Sequence, residues 1–305
     1  MSQLSPSAVF FQVSEAVPES CRGNIVIIGS LAAGYHFYHG NRAISVRTKD
    51  VDCILEPFQE AVSAGRETAR QLLDAGWQRR QKGEHVEPGD ESTPEDQLPA
   101  VRLYPPGVDP EDADAWFIEF LTVPESEDAP EKSWTRMSIE EGHFGIPSFR
   151  FLSITAFEPL AIEKLGIRYA RPEMMALANL LEHPEIKPER MSGLIAELSI
   201  KRSNKDLGRV IAIAVMADLD DYGVWRPLWE KALQHCFPSS WKKLASRVGG
   251  GLRELLNSEE DFKEAYHTCI NGLLSSKTIS QEALHIAGER MLVDLIEPLE
   301  ASVGN

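Results

Sequence analysis

One stretch, Asn24 to Leu55, constrains this chain more than any other part of the sequence. Ile25 to Ile28 is a short apolar run rich in β-branched residues, which is typical of a buried strand. Gly29-Ser30 interrupts this run, and Leu31 to Tyr38 predicts the first turns of a helix. Lys49 to Leu55 predicts a second strand after a polar loop. The stretch therefore predicts a strand, a tight turn, a helix and a second strand in close succession.

The second predicted strand carries two carboxylates, Asp50 and Asp52. Side chains two residues apart on a strand point to the same face, so these carboxylates lie a few ångströms apart. Like charges so placed repel each other unless a cation lies between them. Oxygen-only ligation suits Mg²⁺ or Mn²⁺. The pattern therefore indicates a divalent metal site.

The Gly29-Ser30 turn indicates a phosphate site beside the two carboxylates. A turn at the start of a helix offers backbone N–H groups, and the serine adds a hydroxyl. A phosphate-binding turn next to paired carboxylates on an adjacent strand is the arrangement used for metal-assisted transfer of a nucleotidyl group.

Gly29-Ser30 followed by Asp50-Val51-Asp52 resembles the signature of the nucleotidyltransferase superfamily with the polymerase-β-like fold. The wide gap before Asp50, with Thr48 ahead of it, is more similar to the AbiEii-type branch than to compact kanamycin-nucleotidyltransferase-type members. That branch is known for toxins and phage-defence enzymes. It often has a Gly-Gly or Gly-Gly-Thr turn where this chain has Gly-Ser. The resemblance covers the first half of the chain well and the second half loosely.

The resemblance implies a third acidic residue on a later strand. Glu119 fits, because it is the only charge in the apolar run from residue 116 to 121, where many members have Asp. The implied mechanism is two-metal transfer of a nucleoside monophosphate from an NTP. Asp50 and Asp52 would bind both Mg²⁺ or Mn²⁺ ions, and Glu119 would bind the catalytic ion. Glu119, or another local base, would help deprotonate the acceptor hydroxyl. Gly29 and Ser30 would hold the β- and γ-phosphates.

Several cations are candidates for contacts with the triphosphate. Arg47 and Lys49 flank the two carboxylates, and a solvated loop is the alternative for both. The resemblance implies a lysine on the first helix after the sheet, which Lys164 matches, and a later Lys-Asp element. Lys205 matches that element, with a solvated basic helix face as its alternative. If the sheet order follows the family, Arg102 lies beside Glu119, where it orients that residue or reaches a phosphate.

The pattern of apolar residues divides the chain into two parts. Strand-like alternation dominates up to about residue 153, and helical periodicity follows, with helices predicted at 157–169 and 188–200. We predict an α+β protein. Its N-terminal domain, residues 1–157, is a nucleotidyltransferase-type mixed sheet with flanking helices, and residues 158–305 form an all-α domain that closes the nucleotide cleft.

Charge bears on the identity of the acceptor. The formal net charge is −16, and residues 84–131 contain fifteen Asp and Glu against one Arg or Lys, Arg102. A general nucleic-acid binder normally carries a basic surface, which this chain lacks. The resemblance suggests a tRNA or a protein as acceptor, and the acidic composition leaves a protein side chain or a small molecule open. An antitoxin partner is a further expectation from the resemblance.

The composition predicts a cytoplasmic protein that does not enter a membrane. The first residues lack a basic region followed by a sustained apolar run, and no apolar window approaches the roughly 18 residues needed to cross a bilayer. The four cysteines are scattered without metal-ligand spacing, so we expect reduced and mostly buried thiols.

Three other interpretations are compatible with the sequence. The first is a catalytically silent nucleotide-binding or interaction module on the same fold. The second is an assembly protein in which the helical domain acts and the sheet is a scaffold. The third is a metal-dependent nuclease, which also uses clustered acids but has no need of a Gly-Ser turn ahead of them.

Overall fold

The computed structural model describes residues 3–38, 44–80, 86–112, 114–183 and 189–303, except the side chains of residues 192 and 219. These residues form two compact units. The first comprises Met1–Ala43 and Arg47–Ala170, and the second comprises Ile44–Val46 and Arg171–Asn305. The predicted domains, residues 1–157 and 158–305, and the closing of a cleft by the second of them stay predictions.

The strands of both units are numbered in chain order. They are β1 (Gln3–Leu4), β2 (Ile25–Ile27), β3 (Val46–Arg47), β4 (Asp50–Leu55), β5 (Gln78–Arg79), β6 (Arg102–Tyr104), β7 (Phe117–Thr122), β8 (Lys132–Ile139), β9 (Gly142–Phe149), β10 (Leu160–Ile162), β11 (Ile167–Tyr169), β12 (Arg190–Ile195) and β13 (Leu198–Lys201).

The helices are numbered in the same way. They are α1 (Pro6–Ala16), α2 (Glu19–Arg22), α3 (Gly29–Tyr38), α4 (Phe58–Asp74), α5 (Leu152–Thr155), α6 (Pro172–Glu182), α7 (Arg202–Met216), α8 (Leu219–Cys236), α9 (Trp241–Ala245), α10 (Gly250–Leu256), α11 (Glu259–Ile270), α12 (Gln281–Met291) and α13 (Glu297–Val303). A short 3₁₀ turn covers Glu95–Gln97, and a π-helical segment covers Leu292–Ile296. Within the described ranges, no helix is both long enough and apolar enough to cross a bilayer.

A mixed sheet forms the centre of the first unit. Its strand order is β10-β11-β2-β4-β7-β6-β5, with β9 also paired to β7 and β8 paired to β9. β4 runs antiparallel to β2 and parallel to β7. This mixed sheet with flanking helices, followed by a mainly helical C-terminal region, confirms the predicted α+β class.

β4 lies in the middle of the sheet and has two different faces. Helix α4 packs on it so closely that a Cβ atom at Gly65 would lie 2.8 Å from Leu55 Cδ1. Val51 shares the face of Leu55 by the alternation of a strand, and both side chains are fully buried. Asp50 and Asp52 point to the opposite face and are partly exposed. The packing of α4 therefore orients the two carboxylates.

The helix predicted at residues 157–169 is wrong. The segment forms the antiparallel hairpin β10–β11, with Leu160 opposite Tyr169, and β11 then pairs in parallel with β2. Gly166 takes a φ of 64° in the turn, a left-handed conformation that glycine adopts without steric cost. The apolar residues alternate along each short strand, and the sheet supplies the partner that stabilises them.

Helix α7 lies at the centre of the second unit, where it contacts α6, α11 and α12. A Cβ atom at Gly208 would lie 2.8 Å from the carbonyl oxygen of Ala265 on α11, so only glycine permits this approach. The thiol of Cys269 donates a hydrogen bond of 2.9 Å to the Gly208 carbonyl. The close approach of these helices buries Cys269. Cys21 and Cys53, in the first unit, are also buried, in agreement with the prediction of mostly buried thiols.

The prediction of a helix at residues 188–200 is also wrong. The second unit contains a β-hairpin at this point and is therefore not all-α. Strands β12 and β13 form a hairpin there. Polar contacts tie its base to the helices. Glu264 accepts hydrogen bonds of 2.9 Å from the backbone N–H of Lys201 and from Asn204 Nδ2, and Lys201 Nζ lies 2.6 Å from Asp261 Oδ1. The antiparallel ladder of β12 and β13 supplies the backbone hydrogen bonds that the predicted helix would have made.

Candidate active site

The turn between β2 and α3 lies directly against Asp52. Gly29 has a φ of 78°, which disfavours a side chain. A Cβ atom at this position would lie 3.3 Å from Asp52 Oδ2. The backbone N–H of Ile28 donates a 2.9 Å hydrogen bond to the carbonyl of Asp52. The structure therefore brings together the predicted phosphate-binding turn, Gly29 and Ser30, and one of the predicted metal ligands.

Asp50 and Asp52 share one face at the start of β4. Asp50 Oδ1 is buried and has no hydrogen-bond partner among the described residues. A buried carboxylate oxygen without a partner is costly, and a bound cation removes that cost. Mg²⁺ is commonly held by one or two carboxylates together with substrate phosphates and water. The two aspartates therefore fit a Mg²⁺ or Mn²⁺ ion.

Glu119 lies in the same row of side chains. In the parallel register of β4 and β7 it is opposite Asp52, and in the antiparallel register of β7 and β6 it is opposite Arg102. Arg102 Nε donates a hydrogen bond of 2.5 Å to Glu119 Oε2, and the guanidinium lies 5.0 Å from the centre of the Phe117 ring. The predicted position of Arg102 beside Glu119 is thus confirmed.

The environment of Glu119 changes its proton affinity. Burial raises the pKa of its carboxyl group, the ion pair with Arg102 opposes that rise, and the negative charge of Asp50 adds to it. In the part of the chain that the structure describes, no three His, Cys, Asp or Glu side chains are grouped so that they could hold one metal ion. Asp50 and Asp52 therefore form a pair, while Glu119 is engaged by Arg102.

Two of the predicted cations adjoin the carboxylate strand. Arg47 is exposed at the end of β3, and Lys49 is half-buried directly before β4. The carbonyl of Lys49 accepts a 2.9 Å hydrogen bond from the N–H of Phe117, which holds the entry to β4 against β7. The main chain at Lys49 is thus fixed beside Asp50.

Lys164 is far from the carboxylates along the sheet. It is exposed in the turn of the β10–β11 hairpin. Because β11 runs parallel to β2, with Tyr169 opposite Ile27, this turn lies beyond the first residue of β2, whereas Gly29 follows the last. Arg22 Nη1 donates to the Leu165 carbonyl at 3.4 Å at that opposite end. The structure does not bring Lys164 to the site.

Lys205 lies on α7 in the second unit and is partly buried. Its role toward the nucleotide stays a prediction. The neighbouring Asp206 pairs with a cation of the same helix, because its Oδ1 atom lies 3.4 Å from Arg209 Nη1.

Tyr169 is a residue near the Gly29 end of the sheet that sequence reasoning missed. Its hydroxyl lies 3.5 Å from His36 Nδ1 on α3, and its ring meets that of Tyr35 at a centroid distance of 5.3 Å. Residues 167–169 alternate with a period of two, and this signal could have placed Tyr169 on a strand. The same residues also fit the end of the predicted helix.

Comparison with known proteins adds little to this geometry. No protein-family model and no curated protein matches the chain. Among solved structures, the chain is similar to an antigenic nucleotidyltransferase-like protein from Paracoccidioides brasiliensis. The two are 14% identical, the alignment covers 93% of this chain and 100% of that chain, and the TM-score is 0.37. At a TM-score this low the likeness carries no weight for fold or activity, so the functional proposal depends on the site itself.

Proposed function

We propose that the protein is a metal-dependent nucleotidyltransferase that moves a nucleoside monophosphate from an NTP to an acceptor hydroxyl. The observation that carries this proposal is the approach of Gly29 to Asp52. A Cβ atom at Gly29 would lie 3.3 Å from Asp52 Oδ2, so the glycine turn and the carboxylate pair share one end of the sheet. Phosphate and metal can therefore be held side by side.

The candidate site offers partners for the metal ion and for the phosphate groups of the donor nucleotide. Asp50 and Asp52 would hold Mg²⁺ or Mn²⁺, and a bound ion neutralises triphosphate charge and polarises the reacting phosphoryl group. The Ser30 hydroxyl and the first N–H groups of α3 bind phosphate oxygens, aided by the positive end of the helix dipole. Lys49 and Arg47 add positive charge beside β4.

Glu119 is the candidate general base. A carboxyl group whose pKa is raised by burial is better matched to accepting a proton near neutral pH. The acceptor oxygen bonds to the α-phosphorus, the bond from that phosphorus to the bridging oxygen breaks, pyrophosphate leaves, and Glu119 accepts the hydroxyl proton. Arg102 positions Glu119. Lys205 stays in the proposal as the cation that the family resemblance assigns to the leaving pyrophosphate, and Lys164 has no part in this scheme.

The acceptor and the biological setting extend the proposal. We take the acceptor hydroxyl to belong to a protein side chain or a small molecule, with tRNA disfavoured by the acidic segment 84–131. As an AbiEii-type toxin or defence enzyme of the cytoplasm, the protein would be kept in check by an antitoxin partner. Expression of the wild type should then arrest growth of a bacterial host, and expression of Asp52→Asn at the same level should not.

The deciding experiment compares melting temperatures with ATP, GTP, CTP and UTP, with and without Mg²⁺. We expect a Mg²⁺-dependent rise for at least one nucleotide in the wild type and none in Asp50→Asn/Asp52→Asn. The control is Glu95→Gln/Asp96→Asn, which removes two exposed carboxylates from the acidic segment and should keep the rise. A rise of equal size in the Asp50/Asp52 variant would refute the proposed site.

A second candidate function is nucleotide binding without catalysis. The ion pair between Arg102 and Glu119 favours it, because it engages the carboxylate that would otherwise act as the base. Pyrophosphate release separates the two candidates. The binding module is favoured if a nucleotide raises the melting temperature of the protein but the protein releases no pyrophosphate when it is incubated with that NTP and a cell extract.

A further inference from the structure

The β8–β9 hairpin extends the sheet on the side of Glu119 that faces away from Gly29. Because β4 pairs with β7 along its full length, the contact of β9 with β7, Thr122 opposite Ser148, lies on the other edge of β7. β8 follows β9 in an antiparallel ladder. The proposed phosphate turn, the carboxylate pair, Glu119 and this hairpin therefore follow one another across the sheet.

Alternation along the strands places three side chains of the hairpin on the same face of the sheet as Glu119. The paired residues of β7 and β9 point to the opposite face, where α4 packs, so the next residue of β9, Phe149, points to the Glu119 face. Its partner on β8 is Lys132, and Trp134 lies two residues further along that strand. These three side chains therefore face the side of the proposed active site on which the base lies.

Lys132, Trp134 and Phe149 form a small surface that we call the ring platform. Lys132 Nζ lies 4.6 Å from the centre of the Trp134 ring and 5.9 Å from that of Phe149. Lys132 is exposed, and both rings are partly exposed. A Cβ atom at Gly145 would lie 2.7 Å from Trp134 Cε3, so the indole is held against the backbone of β9. The ring platform thus presents fixed aromatic surface and one cation to solvent.

The ammonium group of Lys132 can interact with a ligand and with the proposed base. A cation–π contact at an exposed site is weak, and a charge-assisted hydrogen bond to a phosphate is stronger, so a phosphate can draw the ammonium away from the rings. Burial raises the pKa of Glu119, and the charge of Lys132, after that of Arg102, opposes this rise. The ammonium is therefore close enough to act on Glu119.

We propose that the ring platform binds a nucleoside monophosphate as the acceptor of the proposed nucleotidyl transfer, on which this inference rests. The base stacks on Trp134 and Phe149, and the phosphate binds Lys132. A ribose hydroxyl then faces Glu119. Its oxygen bonds to the α-phosphorus of the NTP, pyrophosphate leaves, Glu119 accepts the proton, and a dinucleotide forms. The acidic segment 84–131 repels a long polyanion, so a single phosphate fits better than an RNA chain.

The first test is calorimetric titration of the full chain with AMP, GMP, CMP and UMP in EDTA, where the metal-free aspartates repel phosphate from the donor site. The best ligand is then compared with its nucleoside and with ribose 5-phosphate. Lys132→Met should weaken binding of the monophosphate about tenfold and leave binding of the nucleoside unchanged. Trp134→Leu, which keeps an apolar side chain on Gly145, should weaken both about tenfold and leave ribose 5-phosphate unchanged.

The matched control is Lys242→Met in the second unit. Lys242 Nζ also lies over a tryptophan ring, 5.6 Å from the centre of Trp241, so the control removes the same kind of contact elsewhere. It should leave all three affinities unchanged. The inference is overturned if no monophosphate binds. It is also overturned if folded Lys132→Met and Trp134→Leu, checked by their melting curves, bind like the control.

Transfer is measured separately from binding. With NTP, Mg²⁺ and the monophosphate, the wild type should release pyrophosphate and form a dinucleotide, and Lys132→Met should raise the KM for the monophosphate about tenfold. Binding without formation of a dinucleotide would overturn the acceptor role. Pyrophosphate release from NTP and cell extract without binding of any monophosphate would overturn this inference and leave the proposed function intact, whereas no release in either assay would refute the proposed function.

Discussion

Arg102 Nε lies 2.5 Å from Glu119 Oε2, and the two residues occupy opposed positions on adjacent strands. Only 28% of the Arg102 side chain and 17% of the Glu119 side chain are exposed. A second pair in the same unit, Arg80 and Glu111, has a similar distance of 2.8 Å but is 54% and 67% exposed. The two pairs differ mainly in their exposure to water, which screens the second pair far more.

Substitution of Arg102 should therefore cost more than substitution of Arg80. We expect Arg102→Met to lower the free energy of unfolding by about 2 kcal/mol, between the values typical of exposed and buried pairs, because it leaves the largely buried Glu119 without its cation. Arg80→Met is the control and should cost no more than about 0.5 kcal/mol. Urea denaturation measures both, and equal losses would contradict the role assigned to burial.

Gly29 allows a second matched comparison, with Gly107. Both glycines have a positive φ, 78° and 82° respectively, so alanine should destabilise each position by about 1 kcal/mol. Only at Gly29 does the added methyl group press on Asp52; at Gly107 nothing lies within 4 Å. Gly29→Ala should lose the Mg²⁺-dependent rise in melting temperature with NTP, and Gly107→Ala should keep it. Loss of the rise in both variants would point to general destabilisation.

Lys164 should not contribute to nucleotide binding, because its turn lies at the end of β2 opposite to Gly29. We expect Lys164→Ala to bind NTP with the same Kd as the wild type. Lys49→Ala, at the residue before β4, should bind more weakly, by a factor of about 3 to 10, as the loss of one nearby cation implies. Titration of both variants with the preferred NTP gives the answer, and a weaker Kd for Lys164→Ala would mean that the hairpin reaches the nucleotide.

Asp261 should make the second unit sensitive to acid. Burial acts to raise the pKa of its carboxyl group, but hydrogen bonds from Lys201 at 2.6 Å and Asn204 at 2.9 Å outweigh burial and hold the pKa below its ordinary value. The folded state therefore binds this proton less readily than the unfolded state does. The stabilisation is present above about pH 4 and is lost as the pH falls through the folded-state pKa.

The corresponding variant is Asp261→Asn. It should unfold more easily than the wild type by about 1 kcal/mol at pH 7, and the difference should shrink below about pH 4. Guanidinium titrations from pH 3 to pH 7 measure this difference. Asp96→Asn, at an exposed position, is the control. A difference that stays constant across this range would contradict the assignment.

Local patterns in the sequence predicted the elements around the carboxylates well. The alternation in Asp50–Leu55, the apolar run at residues 25–28 and the break at Gly29 are short-range signals, and each corresponds to the element observed. The apolar strand around Glu119 was predicted for the same reason. Its position beside Arg102 required the order of the sheet, which came from the family resemblance.

The two misassigned segments lacked a decisive local signal. In residues 157–169 the apolar positions fit a helix as well as two short strands, and the partner of β11 is the distant strand β2. In residues 188–200 the turn is formed by Ala196 and Glu197, with φ values of 50° and 65°. Hairpin turns of this kind usually have Gly or Asn at the two turn positions, and this turn has Ala196 and Glu197 instead.

The pairing of β4 with β7 has a consequence for synthesis of the chain. The two strands run parallel, so a long crossover must lie between them, and the hydrogen bond from Thr122 Oγ1 to the Leu55 carbonyl spans 67 residues. The two aspartates leave the ribosome well before the segment that completes their sheet. A nascent chain that stops short of residue 117 exposes one edge of β4 without its partner strand, so the carboxylate pair acquires the neighbouring strand β7 only after residues 117–122 have left the ribosome.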